Sequence, residues 1–145
     1  MPDFFLTPNC YHVSMSQKIL LIEDSLLDAE LTIHALKRCD FHNEVVHAVD
    51  GGVALWHLAV DQTIALILLD LKLRVVSGIE FLTMFRADIK NAATPVIILS
   101  GSVNPEDRAR AEQLGASSYV VKDPDPERFR DALCRTLMPF KSGLS

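Results

Sequence analysis

The chain has 145 residues, of which 49% are hydrophobic, and its formal net charge at pH 7 is −5. This length and composition suit one folded domain with a sizeable core. The acidic balance excludes the clustered basic surface that nucleic-acid binding requires, so we expect no nucleic-acid partner.

The N-terminal segment and the cysteines indicate the expected cellular location of the protein. Residues 1–17 have no basic stretch followed by a continuous apolar run, so we interpret them as a flexible arm, with Met15 as a candidate translation start. No later run is long enough to span a bilayer, and we expect no membrane association. The three cysteines, Cys10, Cys39 and Cys134, are odd in number and widely spaced. That spacing predicts neither a disulfide framework nor a zinc cluster and favours the reducing cytoplasm.

Five short apolar segments, rich in β-branched residues, predict five strands. They are Lys18–Glu23, Glu44–Val49, Ile64–Asp70, Pro95–Ser100 and Ser117–Lys122. Strands that are apolar throughout, rather than alternating, are typical of a parallel sheet buried on both faces.

Segments with helical spacing of apolar residues lie between and after these strands. Capping and stop signals support the helices at Ser25 with Asp28, at Asn104-Pro105, at Asp125-Pro126 and at Gly115. The expected core positions are Leu26, Ala29, Ile33 and Leu36 in the first helix, Ile79, Leu82, Phe85 and Ile89 in the third, and Phe129, Ala132, Leu133 and Leu137 in the last.

The alternation of strands and helices predicts an α/β fold. Crossovers between parallel strands are right-handed and must be buried, so helices should cover both faces of the sheet. We assign residues 18–138 to this domain and residues 139–145 to a short C-terminal tail.

Polar side chains stand where four of the five predicted strands end. They are Glu23 and Asp24, Asp70, Ser100, and Lys122. Each has a purely structural interpretation, such as an Asx-turn for Asp70 or a solvated surface charge for Lys122. Ligands of open parallel α/β sheets bind beyond the carboxyl ends of the strands, however, so together these residues favour a functional site.

Three carboxylates at one edge repel one another unless a cation lies between them. Mg²⁺ prefers oxygen ligands and usually takes one or two carboxylates while keeping room for waters and a phosphate oxygen. Such a site leaves Asp70 ionised and able to attack phosphorus. Lys122 and Ser100 can then balance the charge of the transferred phosphoryl group and donate hydrogen bonds to it.

These residues carry a family resemblance. The segments "LLIEDS", "AVDGGVAL", "LILLDLKL" with Gly78 downstream, "VIILSGS" and "GASSYVVKD" occur in the order and spacing of the receiver domains of bacterial response regulators. The chain resembles that family from about Lys18 to Leu137. The resemblance implies a flavodoxin-like (βα)₅ sandwich with a five-stranded sheet in the order 2-1-3-4-5.

The resemblance also implies a role for each site residue. Asp70 is then the phosphoacceptor, Lys122 the phosphoryl-binding amine, Ser100 the switch hydroxyl and Tyr119 the aromatic switch residue. The Mg²⁺ ligands implied are Asp24 and Asp70 directly, Glu23 through water, and the backbone carbonyl of Lys72. Two positions depart from the common pattern, because Arg74 and Asp123 stand where many receivers have proline. Lys72 and Ser102 occupy positions that tune the lifetime of the phosphoryl group in this family.

The resemblance to a receiver domain implies protein partners rather than a small-molecule substrate. We expect a phosphoryl donor, either a sensor histidine kinase or a histidine phosphotransfer protein, and a downstream protein that the sequence does not identify. The "DLKL" segment and the long last helix are similar to regulators of phytochrome-type kinases, in which a homodimer through the later helices occurs. Only "MPFKSGLS" follows the last helix, so we expect output from the domain's own surface and no enzymatic activity beyond its own phosphorylation and dephosphorylation.

The fourth helix is the segment that we expect phosphorylation to move. Its sequence "NPEDRARAEQLG" has few large apolar residues apart from Leu114, so it should be held weakly against the sheet. A shift of Ser100 toward the phosphoryl group would then open space for Tyr119.

Three alternatives remain open. A flavodoxin shares the sheet, but "EDSLLD" places carboxylates where a phosphate-binding loop is needed. A phosphatase with an aspartyl nucleophile usually has a second acid two residues later, where Lys72 stands. A degenerate receiver would act as a phosphorylation-independent interaction module, which the complete set of site residues disfavours.

Overall fold

The computed structural model describes residues 16–144. The N-terminal arm expected at residues 1–17 therefore lies outside the described residues, apart from Ser16 and Gln17. Within residues 16–144 the structure has five strands and five α-helices, with two short 3₁₀ helices.

The secondary structure follows the predicted alternation. The strands are β1 Lys18–Ile22, β2 Val45–Ala48, β3 Ile64–Asp70, β4 Val96–Ser100 and β5 Ser118–Val121. The helices are α1 Leu26–Arg38, α2 Gly51–Val60, α3 Gly78–Arg86, α4 Pro105–Gln113 and α5 Pro126–Leu137, and the 3₁₀ helices are Ile89–Asn91 and Met138–Leu144. The strands other than β3 are one or two residues shorter than predicted.

All strand pairs are parallel, and the sheet order is β2-β1-β3-β4-β5. This confirms the predicted flavodoxin-like fold. The strand order reverses between β1 and β3, where Ile22 lies beside Leu69. In open α/β sheets the crevice beyond such a reversal is the usual ligand site.

The core lies on both faces of the sheet because successive strand residues point to opposite sides. Ile19 and Leu21 of β1 pack on the face covered by α1 and α5. Leu20 and Ile22 pack on the opposite face, with Phe81 of α3. The residues at the centre of both clusters are fully buried. The central strands are therefore tightly packed and hold the residues at their carboxyl ends rigidly.

Two predicted core positions are wrong. Leu26 is 67% exposed because it lies in the first turn of α1, and the buried face of that helix runs instead through Ala29, Thr32, Ala35 and Leu36. Ile89 is 89% exposed because α3 ends at Arg86 and the chain continues as a 3₁₀ turn. The predicted stop at Gly115 is confirmed by its φ of 96°, which favours glycine.

The inference against a disulfide is also wrong. Cys39, which caps the end of α1, is bonded to Cys134 of α5, with the Cα atoms 5.4 Å apart. The two residues are separated by 95 positions in the sequence. The packing of both helices on the same face of the sheet brings them together, and sequence spacing alone does not reveal that.

Among the described residues, none of the helices combines the length and the apolar character needed to cross a membrane.

Candidate functional site

The carboxyl ends of β1, β3, β4 and β5 bring the predicted site residues to one edge of the sheet. Asp70 is the last residue of β3 and lies beside Leu99 of β4. Ser100 ends β4, and its carbonyl accepts a hydrogen bond from the backbone N–H of Lys122. Glu23 and Asp24 directly follow β1. Four separate segments therefore converge because parallel strands end on the same side.

The Lys122 ammonium lies at the centre of this edge. Its Nζ donates to Glu23 Oε1 at 2.7 Å, to Asp28 Oδ2 at 3.0 Å and to Asp70 Oδ2 at 3.3 Å. Glu23 and Asp70 are 1% and 6% exposed. Burying carboxylates this deeply is costly without a paired cation, and Lys122 is that cation.

Asp28 is a site residue that the sequence reasoning missed. The sequence suggests for it only a capping role in α1, and its N–H does donate to Ser25 Oγ at 3.2 Å. Its carboxylate, however, reaches Lys122, which is 94 positions away in the chain. An acidic residue in the first turn of a helix beside a predicted lysine site is the signal that could have found it.

Three carboxylates at the edge fit a divalent metal ion. Glu23, Asp24 and Asp70 each offer a ligand atom, and these atoms all lie within 4.8 Å of one another. Oxygen donors of this kind are those that Mg²⁺ and Mn²⁺ prefer. Lys72 lies two residues beyond Asp70, and its N–H donates to Asp70 Oδ1 at 3.0 Å.

The loop after β3 packs closely against the backbone of Asp70. The N–H of Gly78 donates to the carbonyl of Leu71 at 3.1 Å, which folds the loop back on the strand end. A Cβ atom at Gly78 would lie 2.6 Å from the carbonyl oxygen of Asp70. Only glycine allows this close approach, and this explains the glycine at position 78.

Burial and charge act in opposite directions on the two central groups. Burial, together with the neighbouring Asp70, raises the pKa of Glu23 to about 7 despite its hydrogen bond to Lys122. Burial lowers the pKa of Lys122, but Glu23, Asp70 and Asp28 together outweigh that effect and raise it. The lysine therefore stays charged at neutral pH, while Glu23 releases its proton to solvent readily when a cation binds beside it.

We expect Glu23 to make the metal-free protein less stable as the pH rises. Because its pKa is higher in the folded state than in the unfolded chain, its stabilising contribution is complete below about pH 4.5 and is lost as the pH approaches about 7. Urea unfolding in EDTA across this range should show a steeper loss of stability for wild type than for Glu23→Gln. Equal slopes in the two proteins would contradict this expectation.

Arg74, one of the two departures from the pattern that the resemblance implies, lies beside the acidic cluster. Its Nε lies 3.4 Å from Asp24 Oδ2, while the Arg74 side chain is 85% exposed. The guanidinium thus competes with a cation for one of the three carboxylates.

Replacing Arg74 with alanine should tighten Mg²⁺ binding, because an opposing charge is removed from Asp24. The expected gain is roughly two- to fivefold, as for other exposed ion pairs. Calorimetric titration with Mg²⁺ measures it, and the exposed Arg135 of α5 provides a control with the same charge change in Arg135→Ala. Equal affinities for Arg74→Ala and wild type would show that the ion pair does not affect metal binding.

Ser100 and Tyr119 are connected through the loop after β4. Ser100 is fully buried, and its Oγ accepts a hydrogen bond from the Ser102 N–H at 3.1 Å. The Tyr119 hydroxyl donates to the Ser102 carbonyl at 3.3 Å, and Arg108 of α4 lies 5.4 Å from the centre of the Tyr119 ring. Both predicted switch residues therefore contact the segment that leads into α4.

The family model described as "Response regulator receiver domain" matches residues 19–134. The chain is 32% identical over 126 residues to the probable transcriptional regulatory protein SilR of Salmonella typhimurium, an alignment that covers 87% of this chain and 52% of SilR. The chain therefore spans about half the length of that relative.

Solved structures show the same likeness. The crystal structure of the phosphorylated cyanobacterial phytochrome response regulator RcpA has a TM-score of 0.79 and 29% identity, covering 90% of this chain and 97% of RcpA. The Mn²⁺-bound form of the response regulator Rcp1 has a TM-score of 0.73 and 26% identity, covering 86% of this chain and 93% of Rcp1. With the family model matching most of its length, this chain belongs to the response regulator receiver domain family.

Proposed function

We propose that this protein is a two-component response regulator whose Asp70 accepts a phosphoryl group from a phosphohistidine in a Mg²⁺-dependent reaction. The observation that carries the proposal is the Lys122 ammonium, which lies 3.3 Å from Asp70 Oδ2 at the end of a buried strand. A carboxylate held in this way is a preorganised nucleophile beside a fixed positive charge.

The proposed phosphoryl transfer requires the Asp70 carboxylate, the backbone N–H of Lys72 and the Lys122 ammonium. A carboxylate oxygen of Asp70 attacks phosphorus, the P–O bond forms as the P–N bond of the phosphohistidine breaks, and the donor imidazole leaves. The backbone N–H of Lys72 holds Asp70 Oδ1 at 3.0 Å and thereby orients the carboxylate. Lys122 can move from carboxylate partners to the new phosphoryl oxygens, which carry the charge that it balances.

Glu23, Asp24 and Asp70, with the backbone carbonyl of Lys72, would hold the metal. Bound there, Mg²⁺ supplies positive charge to the phosphoryl oxygens and reduces repulsion among the carboxylates. The Mn²⁺-bound form of Rcp1 supports a divalent site in a relative. The Asp28 carboxylate pairs with Lys122 but is not among the three carboxylates whose ligand atoms lie within 4.8 Å of one another.

Receiver domains are signalling proteins that partner with sensor histidine kinases. The likeness to the phytochrome response regulator RcpA supports a phytochrome-type kinase, or a phosphotransfer protein downstream of one, as the donor. A homodimer and a cytoplasmic location belong to the same proposal. The protein would then catalyse no reaction other than its own phosphorylation and dephosphorylation.

The signal passes through the loop after β4 and through α4. The buried residue of α4 is Ala111, so few apolar contacts hold this helix to the sheet. A cavity of about 290 Å³, lined by residues that include Arg108, Ala111 and Tyr119, lies between α4 and β5. A helix with a small buried face beside open space can move at low free-energy cost.

This route predicts altered amide exchange in residues 101–120. Phosphorylation, or a phosphoryl mimic such as beryllofluoride with Mg²⁺, should change the exchange of that segment more than that of β1 at 18–22. Hydrogen-exchange mass spectrometry measures both segments in one experiment. Unchanged exchange at 101–120 would exclude this route.

Intact-mass measurement with acetyl phosphate tests the proposed function. Wild type should gain one phosphoryl group in Mg²⁺ and none in EDTA, and Asp70→Asn should gain none. Asp50→Asn is a matched control, because asparagine keeps the cap that Asp50 supplies to α2. A folded wild type with neither adduct nor Mg²⁺ binding would instead support a phosphorylation-independent module, whereas sustained hydrolysis of a phosphomonoester would support a phosphatase.

A further inference from the structure

The bond between Cys39 and Cys134 joins the end of α1 to the middle of α5. Cys39 is the C-cap of α1, and Cys134 is the ninth residue of the twelve-residue α5. The ring that the bond closes runs from Cys39, just after α1, to Cys134 in α5, so it contains β2 to β5 and leaves β1 and α1 outside. The bond is remote from the acidic site, which lies at the opposite end of α1 near Asp28.

Other contacts also hold α5 to the domain. Phe129, Leu133 and Leu137 bury their side chains against the core. Arg38 of α1 donates to both carboxylate oxygens of Glu127, at 2.8 and 3.1 Å, across the exposed side of the helix pair. These non-covalent contacts can break together in a local opening, whereas the disulfide ties α5 covalently to α1.

The surroundings of the two sulfurs make the bond accessible to exchange. Cys39 is 9% exposed and lies in the core cluster, whereas Cys134 is only partly buried at its edge. The Cα separation of 5.4 Å lies within the ordinary range for disulfides. The bond can thus form or break without backbone movement, and Cys134 is the sulfur that an external thiol or disulfide reaches first.

We propose that Cys39 and Cys134 form a reversible redox site that controls whether α5 can open separately from the rest of the domain. In the oxidised form, α5 stays bound to α1 and opens only with global unfolding. In the reduced form, α5 can detach while the sheet stays intact. This proposal does not rest on phosphoryl transfer at Asp70.

The redox step balances as thiol–disulfide exchange with a low-molecular-weight disulfide such as oxidised glutathione. The Cys134 thiolate attacks one sulfur of the oxidant and displaces one glutathione thiolate. The Cys39 thiol then loses its proton and attacks the Cys134 sulfur of the mixed disulfide, displacing the second glutathione. Two protein thiols are oxidised and one glutathione disulfide is reduced to two thiols.

The test combines thiol counting with hydrogen exchange on the full chain. A Cys10→Ser background ensures that only the two bridging residues are counted. In native buffer, the Cys39 and Cys134 thiols of this Cys10→Ser protein should appear with reduced glutathione and disappear with oxidised glutathione, always as a pair. Amides of α5 at 126–137 should exchange roughly tenfold faster or more in the reduced form, while those of β3 at 64–70 keep their protection.

Cys134→Ser in the same background should show the fast α5 exchange in both buffers. If Cys134→Ser does not fold, the reduced protein that keeps both Cys39 and Cys134 provides the same comparison with the oxidised form. A bond that resists reduced glutathione in the native protein would be a permanent crosslink and would overturn the proposal. Equal α5 exchange in the oxidised and reduced forms would overturn it as well.

Discussion

Lys122→Ala should lower the rate of Asp70 phosphorylation by about a hundredfold or more. Lys122 is the cation that directly contacts Asp70, and removing one preorganised group from a charge-stabilising site typically has an effect of this size. The measurement is the rate of adduct formation with acetyl phosphate at saturating Mg²⁺, followed by intact mass.

The control for this variant is Lys18→Ala. Lys18 is also a partly buried lysine in an ion pair, with Asp61 at 2.9 Å, but it lies at the start of β1 and so at the other end of the sheet. Circular dichroism establishes that both variants fold, and Lys122→Arg tests whether charge alone restores the rate. If Lys122→Ala and Lys18→Ala reacted equally fast, Lys122 would have no role in the transfer.

Loss of the Cys39–Cys134 bond should lower the free energy of unfolding by roughly 2 to 5 kcal/mol. The upper value applies to loops of about 100 residues, and this bond spans 95 positions. The bond acts mainly by restricting the unfolded chain, so the reduced protein loses stability even where its native contacts are unchanged.

Urea unfolding of oxidised wild type, reduced wild type and Cys39→Ser measures this loss. Reduced wild type and Cys39→Ser should have the same free energy of unfolding, and both values should be lower than that of oxidised wild type. Cys10→Ser should not change the result for the oxidised protein. Identical unfolding midpoints for oxidised and reduced wild type would show that the bond contributes nothing to stability.

The sequence predicts the sheet and most of the polar residues at its carboxyl edge because both depend on local pattern. β3 is a continuous apolar run that ends in Asp70, and its bounds were predicted without error. Parallel strands must end at one edge, so the strand pattern alone was enough to place Glu23, Asp70 and Lys122 together.

The site and disulfide contacts that the sequence does not predict depend on tertiary packing. Asp28 reaches Lys122 across 94 positions, and Cys39 meets Cys134 across 95. No spacing rule connects residues so far apart. The misplaced core position Leu26 has a local cause, since it is the first residue of α1 and its side chain is exposed.

Phosphorylation of Asp70 itself is the claim on which the proposed function depends, and borohydride trapping identifies the phosphorylated residue. Borohydride reduces an acyl phosphate to an alcohol, so a phosphorylated aspartate becomes homoserine, which peptide sequencing by mass spectrometry locates. After treatment with acetyl phosphate and Mg²⁺, we predict homoserine at position 70 and unchanged aspartate at Asp24 and Asp28. Homoserine at Asp24 or Asp28, with aspartate intact at position 70, would contradict the claim.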